Sequence, residues 1–158
     1  MTDRLRAVLD TNVIVSAFLS RNPSSPTQEL LRRWRDGEFV LVVSEELLRE
    51  IIEKLLEKRV DPGRVREFSM LLARLAERVD VAPGAVEPVI IDDLDDNHVV
   101  ACAVEGNADY LVTYDPHFDR LGSEYRGIRI AKALPFLWAV RGDVPPNGAP
   151  GSPGSEQT

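Results

Sequence analysis

Residues 5–19 read LRAVLDTNVIVSAFL, a short apolar run followed by apolar residues at helical spacing. The run 5–9 has the length of a buried β-strand, and a helix is predicted to begin near Asn12. One acidic residue, Asp10, lies between the two elements. In an open parallel α/β sheet, ligands bind outside the carboxyl ends of the strands. This stretch therefore predicts an α/β fold and makes Asp10 a candidate functional residue.

The same alternation of strands and helices continues along the chain. Further strands are predicted at 39–43, 79–82 (VDVA), 87–91 (EPVII), 109–113 and 127–130. Further helices are predicted at 26–36, after the N-cap Ser44, from Asp61-Pro62 to about Arg78, at 99–104 and at 133–140. Continuously apolar strands that alternate with helices predict a three-layer α/β/α sandwich with a mainly parallel central sheet.

Length and composition favour an ordinary single domain of 158 residues, with 44% hydrophobic and 28% charged residues. No apolar run approaches the roughly 18 residues that span a membrane, and the N-terminus lacks a signal-peptide pattern, so we expect a cytoplasmic protein. Cys102 is the only cysteine and falls in an apolar run, which predicts a buried small side chain. We expect residues 1–141 to form the domain and the Pro- and Gly-rich residues 142–158 to be a disordered tail.

The charge is unevenly distributed along the chain. The net charge is −7, from 19 basic and 26 acidic residues, which by itself argues against a nucleic-acid partner. From Val79 to Asp119 there are ten acidic residues and no lysine or arginine. Such a cluster must be solvated, protonated, paired with distant arginines or occupied by a cation.

Acidic residues follow three of the predicted strands. They are Asp10, the DDLDD group at 92–96, and Asp115 in TYDPHF. Since the carboxyl ends of parallel strands meet at one edge of the sheet, we expect these groups to converge and to bind a divalent metal. Oxygen ligands without a histidine or cysteine at ligand spacing favour Mg²⁺ or Mn²⁺. The alternative is structural: Asp10 and the 92–96 group cap helices, and Asp115 forms a turn before Pro116.

Other polar residues are weaker candidates. Thr11, Ser16 and Thr113 have small hydroxyl groups that either orient a carboxylate or water, or make structural hydrogen bonds. His98 and His117 are explained by surface or helix-edge positions. Basic residues in the first half either contact phosphates or form solvated helix faces; they are Arg32, Arg33, Arg35, Lys54, Lys58, Arg59, Arg64 and Arg66.

Four segments in order, LDTNVIVSAFL, SEELLREI, DDLDDNHVVACA and ADYLVTYDPHF, resemble a PIN domain, the metal-dependent ribonuclease fold that includes VapC-type toxins. The resemblance extends from about Ala7 to Trp138. It implies metal-binding and catalytic roles for Asp10, Glu50, Asp96 and Asp115, an additional acid at Asp93, and companion roles for Asn12 and Ser16. Only the resemblance selects Glu50, because helical periodicity does not distinguish it from Glu46, Glu53 or Glu57.

The resemblance also implies an activity. One or two Mg²⁺ or Mn²⁺ ions would activate water to hydrolyse single-stranded RNA, leaving 5′-phosphate and 3′-hydroxyl ends. A toxin would have an antitoxin partner, and homodimers are common in the family. The main alternative is a non-catalytic PIN-like module that binds RNA or a protein. A haloacid dehalogenase-type phosphatase would have an acid in place of Asn12, and a receiver domain would have paired acids after the first strand.

Overall fold

A computed structural model describes residues 4–90 and 96–143. The strands are β1 (Arg6–Leu9), β2 (Val40–Ser44), β3 (Glu77–Val79), β4 (Tyr110–Val112), β5 (Glu124–Tyr125) and β6 (Ile128–Ala131). The helices are α1 (Thr11–Leu19), α2 (Pro26–Arg35), α3 (Glu45–Glu57), α4 (Pro62–Leu75), α5 (Asn97–Glu105) and α6 (Ala133–Arg141). Short 3₁₀ helices span Pro83–Ala85 and Pro116–Leu121.

The strands form one sheet in the order β3-β2-β1-β4-β6-β5. All neighbouring pairs are parallel except β5 and β6, which are antiparallel. The helices flank this sheet, so the predicted three-layer α/β/α sandwich is confirmed. The short antiparallel strand β5 was not predicted from the sequence.

The strand order changes direction between β1 and β4. The chain proceeds from β1 to β2 and β3 on one side, and β4 then pairs with the other side of β1. Where the connections after two neighbouring parallel strands lead to opposite sides of the sheet, a crevice opens at the carboxyl ends of those strands. Asp10 follows β1 at this point, and its backbone N–H donates to Val112 O of β4 at 2.9 Å. The end of β1 and the end of β4 are therefore held side by side.

Burial and capping agree with the local sequence. Ala7, Val8 and Leu9 of β1 are all fully buried. The hydroxyl of Ser44 accepts a hydrogen bond from the N–H of Leu47 and caps α3, and Asp61 caps α4. Cys102 is buried as predicted, and burial raises the pKa of its thiol to about 11.

The EPVII segment is not a strand in residues 87–90, contrary to the prediction. Its backbone instead pairs with a side chain. The Oδ1 of Asn97 accepts from the N–H of Ile90 at 2.7 Å, and its Nδ2 donates to the Ile90 carbonyl at 3.2 Å. Both groups are buried, so the amide satisfies the hydrogen bonds that a neighbouring strand would otherwise make. The acid of the DDLDD group that the structure describes, Asp96, is thus presented by a helix start rather than by a strand end.

The boundary between α4 and β3 also differs from the prediction. Helix α4 ends at Leu75 rather than near Arg78, because residues 77–79 pair with β2 as strand β3.

Gly106 ends α5 so close to the sheet that a Cβ there would lie 2.5 Å from Val42 Cγ1. A larger residue would push α5 away from β2, so glycine permits the close approach that positions this helix.

Within residues 4–90 and 96–143, no helix has both the length and the apolar character needed to cross a membrane. Asp93 and nearly all of the predicted tail, from residue 144 onward, lie outside the described residues. The division at residue 141 therefore stays a prediction, although α6 ends at Arg141.

Candidate active site

Asp10 lies at the centre of the crevice and is only 4% exposed. Its Oδ2 accepts a hydrogen bond of 2.7 Å from the Thr113 hydroxyl and one of 3.3 Å from Asn12 Nδ2. Its Oδ1 accepts from the backbone N–H of Thr11 at 2.8 Å. The carboxylate is therefore fixed by groups from α1 and from the loop after β4. Asp10 also contributes to the N-cap of α1, so helix capping, the alternative role predicted for this residue, is part of what its side chain does.

The environment of Asp10 disfavours its negative charge. Burial raises its pKa from 3.8 to about 6, although the hydrogen bonds from Thr113 and Thr11 oppose this shift. The negative charges of Glu50 and Asp115 raise the pKa further. These carboxyl groups therefore share one electrostatic environment, in which a bound cation would be stabilised.

Asp115 is linked to Asp10 through Thr113. The Thr113 hydroxyl accepts from the backbone N–H of Asp115 at 3.0 Å while it donates to Asp10. Asp115 Oδ1 accepts from the N–H of His117 at 2.9 Å and so caps the 3₁₀ helix that follows. Asn12 ties the same loop to α1, because its Oδ1 accepts from the N–H of Tyr114 at 3.2 Å. Asp115 is thus both a turn former and part of the acidic cluster.

Asp96 occupies the N-cap position of α5, but its side chain makes no capping hydrogen bond to the described residues of that helix. Its Oδ2 lies 3.6 Å from Nδ1 of His117, and the same nitrogen lies 3.3 Å from Asp115 Oδ1. One ligand atom from each of the three residues falls within 4.8 Å of the other two. Asp96, Asp115 and His117 are therefore close enough to hold a metal ion together.

Glu50 projects from α3 and pairs with α5. Its Oε1 lies 3.1 Å from His98 Nε2. The hydrogen bond from His98 is the main cause of a lowered pKa for Glu50, burial opposes it, and Thr11 and Lys54 contribute smaller decreases. For His98, burial alone would lower the pKa, but the hydrogen bond and charge of Glu50, together with the charges of Glu46 and Asp10, outweigh burial and raise it.

The predicted ligands thus form two adjoining groups. Asp10 and Glu50 lie on one side, and Asp96 and Asp115 lie on the other with His117. The sequence favours surface or helix-edge positions for both histidines, whereas His98 contacts Glu50 and His117 lies close to both Asp96 and Asp115. The Asp-Pro-His sequence contained a usable signal, because an Asp side chain commonly accepts from the N–H two residues later and so brings that residue close.

The remaining candidates have other contacts. The Ser16 hydroxyl lies 3.5 Å from that of Thr27, so its described contact is with α2 rather than with a carboxylate. Arg33 forms ion pairs with Glu29 and Glu38, and Lys54 with Glu57. Such pairs reduce the availability of these two basic groups for phosphate.

Other basic residues face solvent. Arg35 and Arg64 line a shallow groove between α1, α2 and α4, together with Phe18 and Phe68. The Arg64 guanidinium lies 5.2 Å from the centre of the Phe18 ring. Arg32 donates to the Pro23 carbonyl at 3.0 Å, and Lys58 and Arg59 are exposed at the end of α3.

Solved structures share this fold at low sequence identity. PAE2754 from Pyrobaculum aerophilum is 14% identical, with a TM-score of 0.59 and coverage of 88% of this chain and 91% of that one. VapBC2 from Rickettsia felis, bound to a DNA fragment from their promoter, is 18% identical, with a TM-score of 0.52 and coverage of 80% and 98%. Mycobacterium tuberculosis VapC20, described as a sarcin-ricin loop cleaving toxin, is 15% identical, with a TM-score of 0.53 and coverage of 78% and 98%.

Comparison with curated protein sequences gives no significant match. The structural similarities, all below 25% identity, show the fold alone. A family model described as PIN domain matches residues 6–117, which is more than half of the chain and includes Asp10, Glu50, Asp96 and Asp115. The chain therefore belongs to the PIN domain family.

Proposed function

We propose that this protein is a metal-dependent endoribonuclease and the toxin component of a type II toxin-antitoxin system. The observation that carries the proposal is the convergence of buried Asp10 with Glu50 and Asp115 at the crevice between β1 and β4. Membership of the PIN domain family supports nuclease chemistry for such a site. On this proposal Asp10, Glu50, Asp96 and Asp115 are the catalytic residues.

The residues present fit a divalent metal. Asp10 is a nearly fully buried carboxylate whose pKa is raised by burial and by two neighbouring acids, an arrangement that a cation would stabilise. Asp10 and Glu50 would hold the ion from one side, and Asp96 and Asp115 from the other. When bound, one or two Mg²⁺ or Mn²⁺ ions would supply positive charge for the phosphate and lower the pKa of a water nucleophile.

The chain's own residues prepare the site before any ion binds. Thr113 fixes the orientation of Asp10, and Asn12 holds the loop of Asp115 against α1. His98 keeps the Glu50 carboxylate ionised by lowering its pKa. A carboxylate set held in advance in this way does not have to reorganise during the reaction.

We propose single-stranded RNA as the substrate. The acidic net charge is compatible with this, because bound cations would invert the local potential of the crevice. Arg35 and Arg64 on the groove beside α1 would then contact the phosphate backbone. VapC20, which shares the fold, is described as a toxin that cleaves the sarcin-ricin loop, and this supports RNA as the substrate class.

The proposal includes a cognate antitoxin and a cytoplasmic location. The structure from Rickettsia felis contains a VapBC2 complex, which supports an antitoxin partner for a protein of this fold. Homodimerisation and an additional metal contact from Asp93 are further parts of the proposal, and each rests on the family resemblance.

Cleavage of labelled single-stranded RNA tests the activity directly. The full chain would be assayed with Mg²⁺ or Mn²⁺, with EDTA, and as an Asp10→Asn variant whose folding is verified by circular dichroism. We expect metal-dependent products with 5′-phosphate ends that disappear with EDTA and in the variant. RNA binding without cleavage across several RNAs and both metals would instead favour the non-catalytic binding module.

A further inference from the structure

We propose that His117 is a direct metal ligand, so that the site combines one imidazole nitrogen with carboxylate oxygens and prefers first-row transition ions such as Mn²⁺ over Mg²⁺. This inference rests on the proposed metal site and specifies its chemistry. The sequence predicts ligation by oxygen alone, whereas the structure places the imidazole of His117 against two of the proposed ligands.

The distances suit a shared coordination shell. At metal–ligand bonds of about 2.1 Å, neighbouring ligand atoms of an octahedral ion are about 3 Å apart and opposite ones about 4.2 Å apart. Nδ1 of His117 lies 3.3 Å from Asp115 Oδ1 and 3.6 Å from Asp96 Oδ2. All three groups place a ligand atom within 4.8 Å of the others. A contraction of a few tenths of an ångström would bring them into contact with one ion.

The orientation of the imidazole is fixed by the local fold. The side chain of His117 is 41% exposed, but its Nδ1 atom is shielded from solvent and directed toward the two carboxylates. Phe118, the next residue, is fully buried and anchors the 3₁₀ helix in the core. The N–H of His117 is bound by Asp115, so the residue is held at both its backbone and its ring. The nitrogen therefore faces the cluster without any rearrangement of the chain.

The nitrogen ligand has a consequence for the choice of metal. Mg²⁺ is a hard ion that is bound mainly by oxygen atoms and retains several waters, whereas imidazole is a good ligand for first-row transition ions. One histidine among carboxylates therefore increases affinity for Mn²⁺, and more strongly for Co²⁺ or Ni²⁺, relative to Mg²⁺. The alternative role for His117 is that of a cation that pairs with Asp96 and Asp115 and is displaced when a metal binds.

These two roles predict opposite effects of removing the ring. If His117 is a ligand, His117→Ala weakens Mn²⁺ binding by at least the roughly 10- to 100-fold that loss of an outer-shell partner causes, and changes Mg²⁺ binding much less. If His117 is a competing cation, the same substitution leaves Mn²⁺ affinity unchanged or increases it. Alanine retains the backbone N–H that Asp115 binds, so the turn itself should persist.

The experiment uses the full chain without a histidine tag, loaded with Mn²⁺. Pulsed electron paramagnetic resonance detects nitrogen coordinated to Mn²⁺, and titration calorimetry gives the affinities for Mn²⁺ and Mg²⁺. The chain has two histidines, so His98→Ala is the matched control that removes the other imidazole near the site. Circular dichroism and thermal melting verify that each variant is folded.

We expect a nitrogen coupling in the wild-type protein and in His98→Ala that shifts on ¹⁵N-histidine labelling and is absent from His117→Ala. Mn²⁺ bound with no nitrogen coupling, or with a coupling lost only in His98→Ala, would overturn the inference but leave the proposed nuclease intact. If neither ion binds and no RNA is cut, the inference and the proposed function fail together.

Discussion

The Thr113 hydroxyl donates a 2.7 Å hydrogen bond to Asp10, and the two residues are brought together by the parallel pairing of β4 with β1. The same oxygen accepts from the backbone N–H of Asp115 at 3.0 Å. One hydroxyl group thus connects the acid after β1 with the acid after β4. The orientation of both carboxylates depends on a side chain that would not itself need to contact a metal.

Replacing Thr113 by valine tests this dependence. Valine has nearly the same shape, but it leaves the buried Asp10 carboxylate with one donor fewer and the N–H of Asp115 without its acceptor. We expect metal affinity, measured by calorimetry, to fall by about 10- to 100-fold. Thr113→Ser, which retains the hydroxyl, should keep most of the affinity. Wild-type affinity in Thr113→Val together with a loss confined to Thr113→Ser would show that the methyl group matters rather than the hydrogen bonds.

The stability of the metal-free protein should increase as the pH falls from about 7.5 to 5. The folded state raises the pKa of Asp10 to about 6, so it binds this proton more tightly than the unfolded chain does. Above pH 6 the buried charge destabilises the fold, and protonation between pH 6 and 4 removes that cost. The shift corresponds to at most roughly 3 kcal/mol in the free energy of unfolding.

Urea unfolding in EDTA across this pH range measures the effect. His98 contributes with the same sign, because its raised pKa gives stability that is present at low pH and lost as the pH rises through the folded value. Asp10→Asn should therefore reduce, but not abolish, the increase in stability that accompanies the fall in pH. A wild-type protein that is equally stable at pH 5 and 7.5 would contradict the prediction. With metal present the trend should reverse, since protons compete with the ion for Asp10.

Asn97 should be important for the stability of the region before α5. Its side chain, 2% exposed, satisfies both backbone groups of Ile90. Asn97→Leu conserves volume but leaves a buried N–H and a buried carbonyl without these partners, which should cost about 2 to 4 kcal/mol. Because Asn97 adjoins Asp96, metal affinity should fall in folded Asn97→Leu as well. Chemical denaturation and calorimetry on the same preparation measure both; an unfolding midpoint like that of wild type would refute this role.

An ion-pair cluster joins α2 to α6 away from the crevice. Arg141 contacts both oxygens of Glu29, at 2.9 and 2.6 Å, and Arg33 adds a third contact at 2.7 Å. Arg141 is the main cause of the lowered pKa of Glu29, about 2. After allowance for solvent screening, Arg141→Gln should cost roughly 1 kcal/mol at pH 7.

The pH dependence of the stability lost in Arg141→Gln shows whether the loss comes from the ion pair with Glu29. A carboxyl group with a lowered folded pKa stabilises the fold above its unfolded value, here 4.5, and loses this contribution as the pH falls toward 2. Arg141→Gln and wild type should therefore converge in stability in strong acid when compared by thermal melting. Arg66→Gln, on an exposed position of α4, is the matched control and should change little.

Sequence patterns predicted those features that depend on only a few neighbouring residues, such as helix caps and a buried strand. The caps Ser44 and Asp61 and the fully buried strand β1 follow from rules of this kind. The EPVII segment was misassigned because its partner is a side chain, Asn97, rather than a strand. A hydrophobic run indicates burial, but it does not show which group satisfies its backbone hydrogen bonds.

The site was predictable only in part for a similar reason. Asp10 and Asp115 follow strands, so strand order brings them to one edge of the sheet. Glu50 lies on the polar side of α3 among several glutamates, and what distinguishes it is contact with His98 from another helix. Pairing between distant segments leaves no periodic signal in either one. Family resemblance selected Glu50, and neither resemblance nor periodicity indicated the position of His117.

Insertion of β4 beside β1 also determines when the site can exist. Asp10 and Asp115 meet only after a loop of about a hundred residues has closed, a step whose entropic cost precedes the contacts that offset it. A growing chain would therefore carry Asp10 and Glu50 long before it could assemble a complete carboxylate set. During synthesis the site should therefore stay incomplete until the segment that carries Asp96 and Asp115 has emerged and β4 has paired with β1.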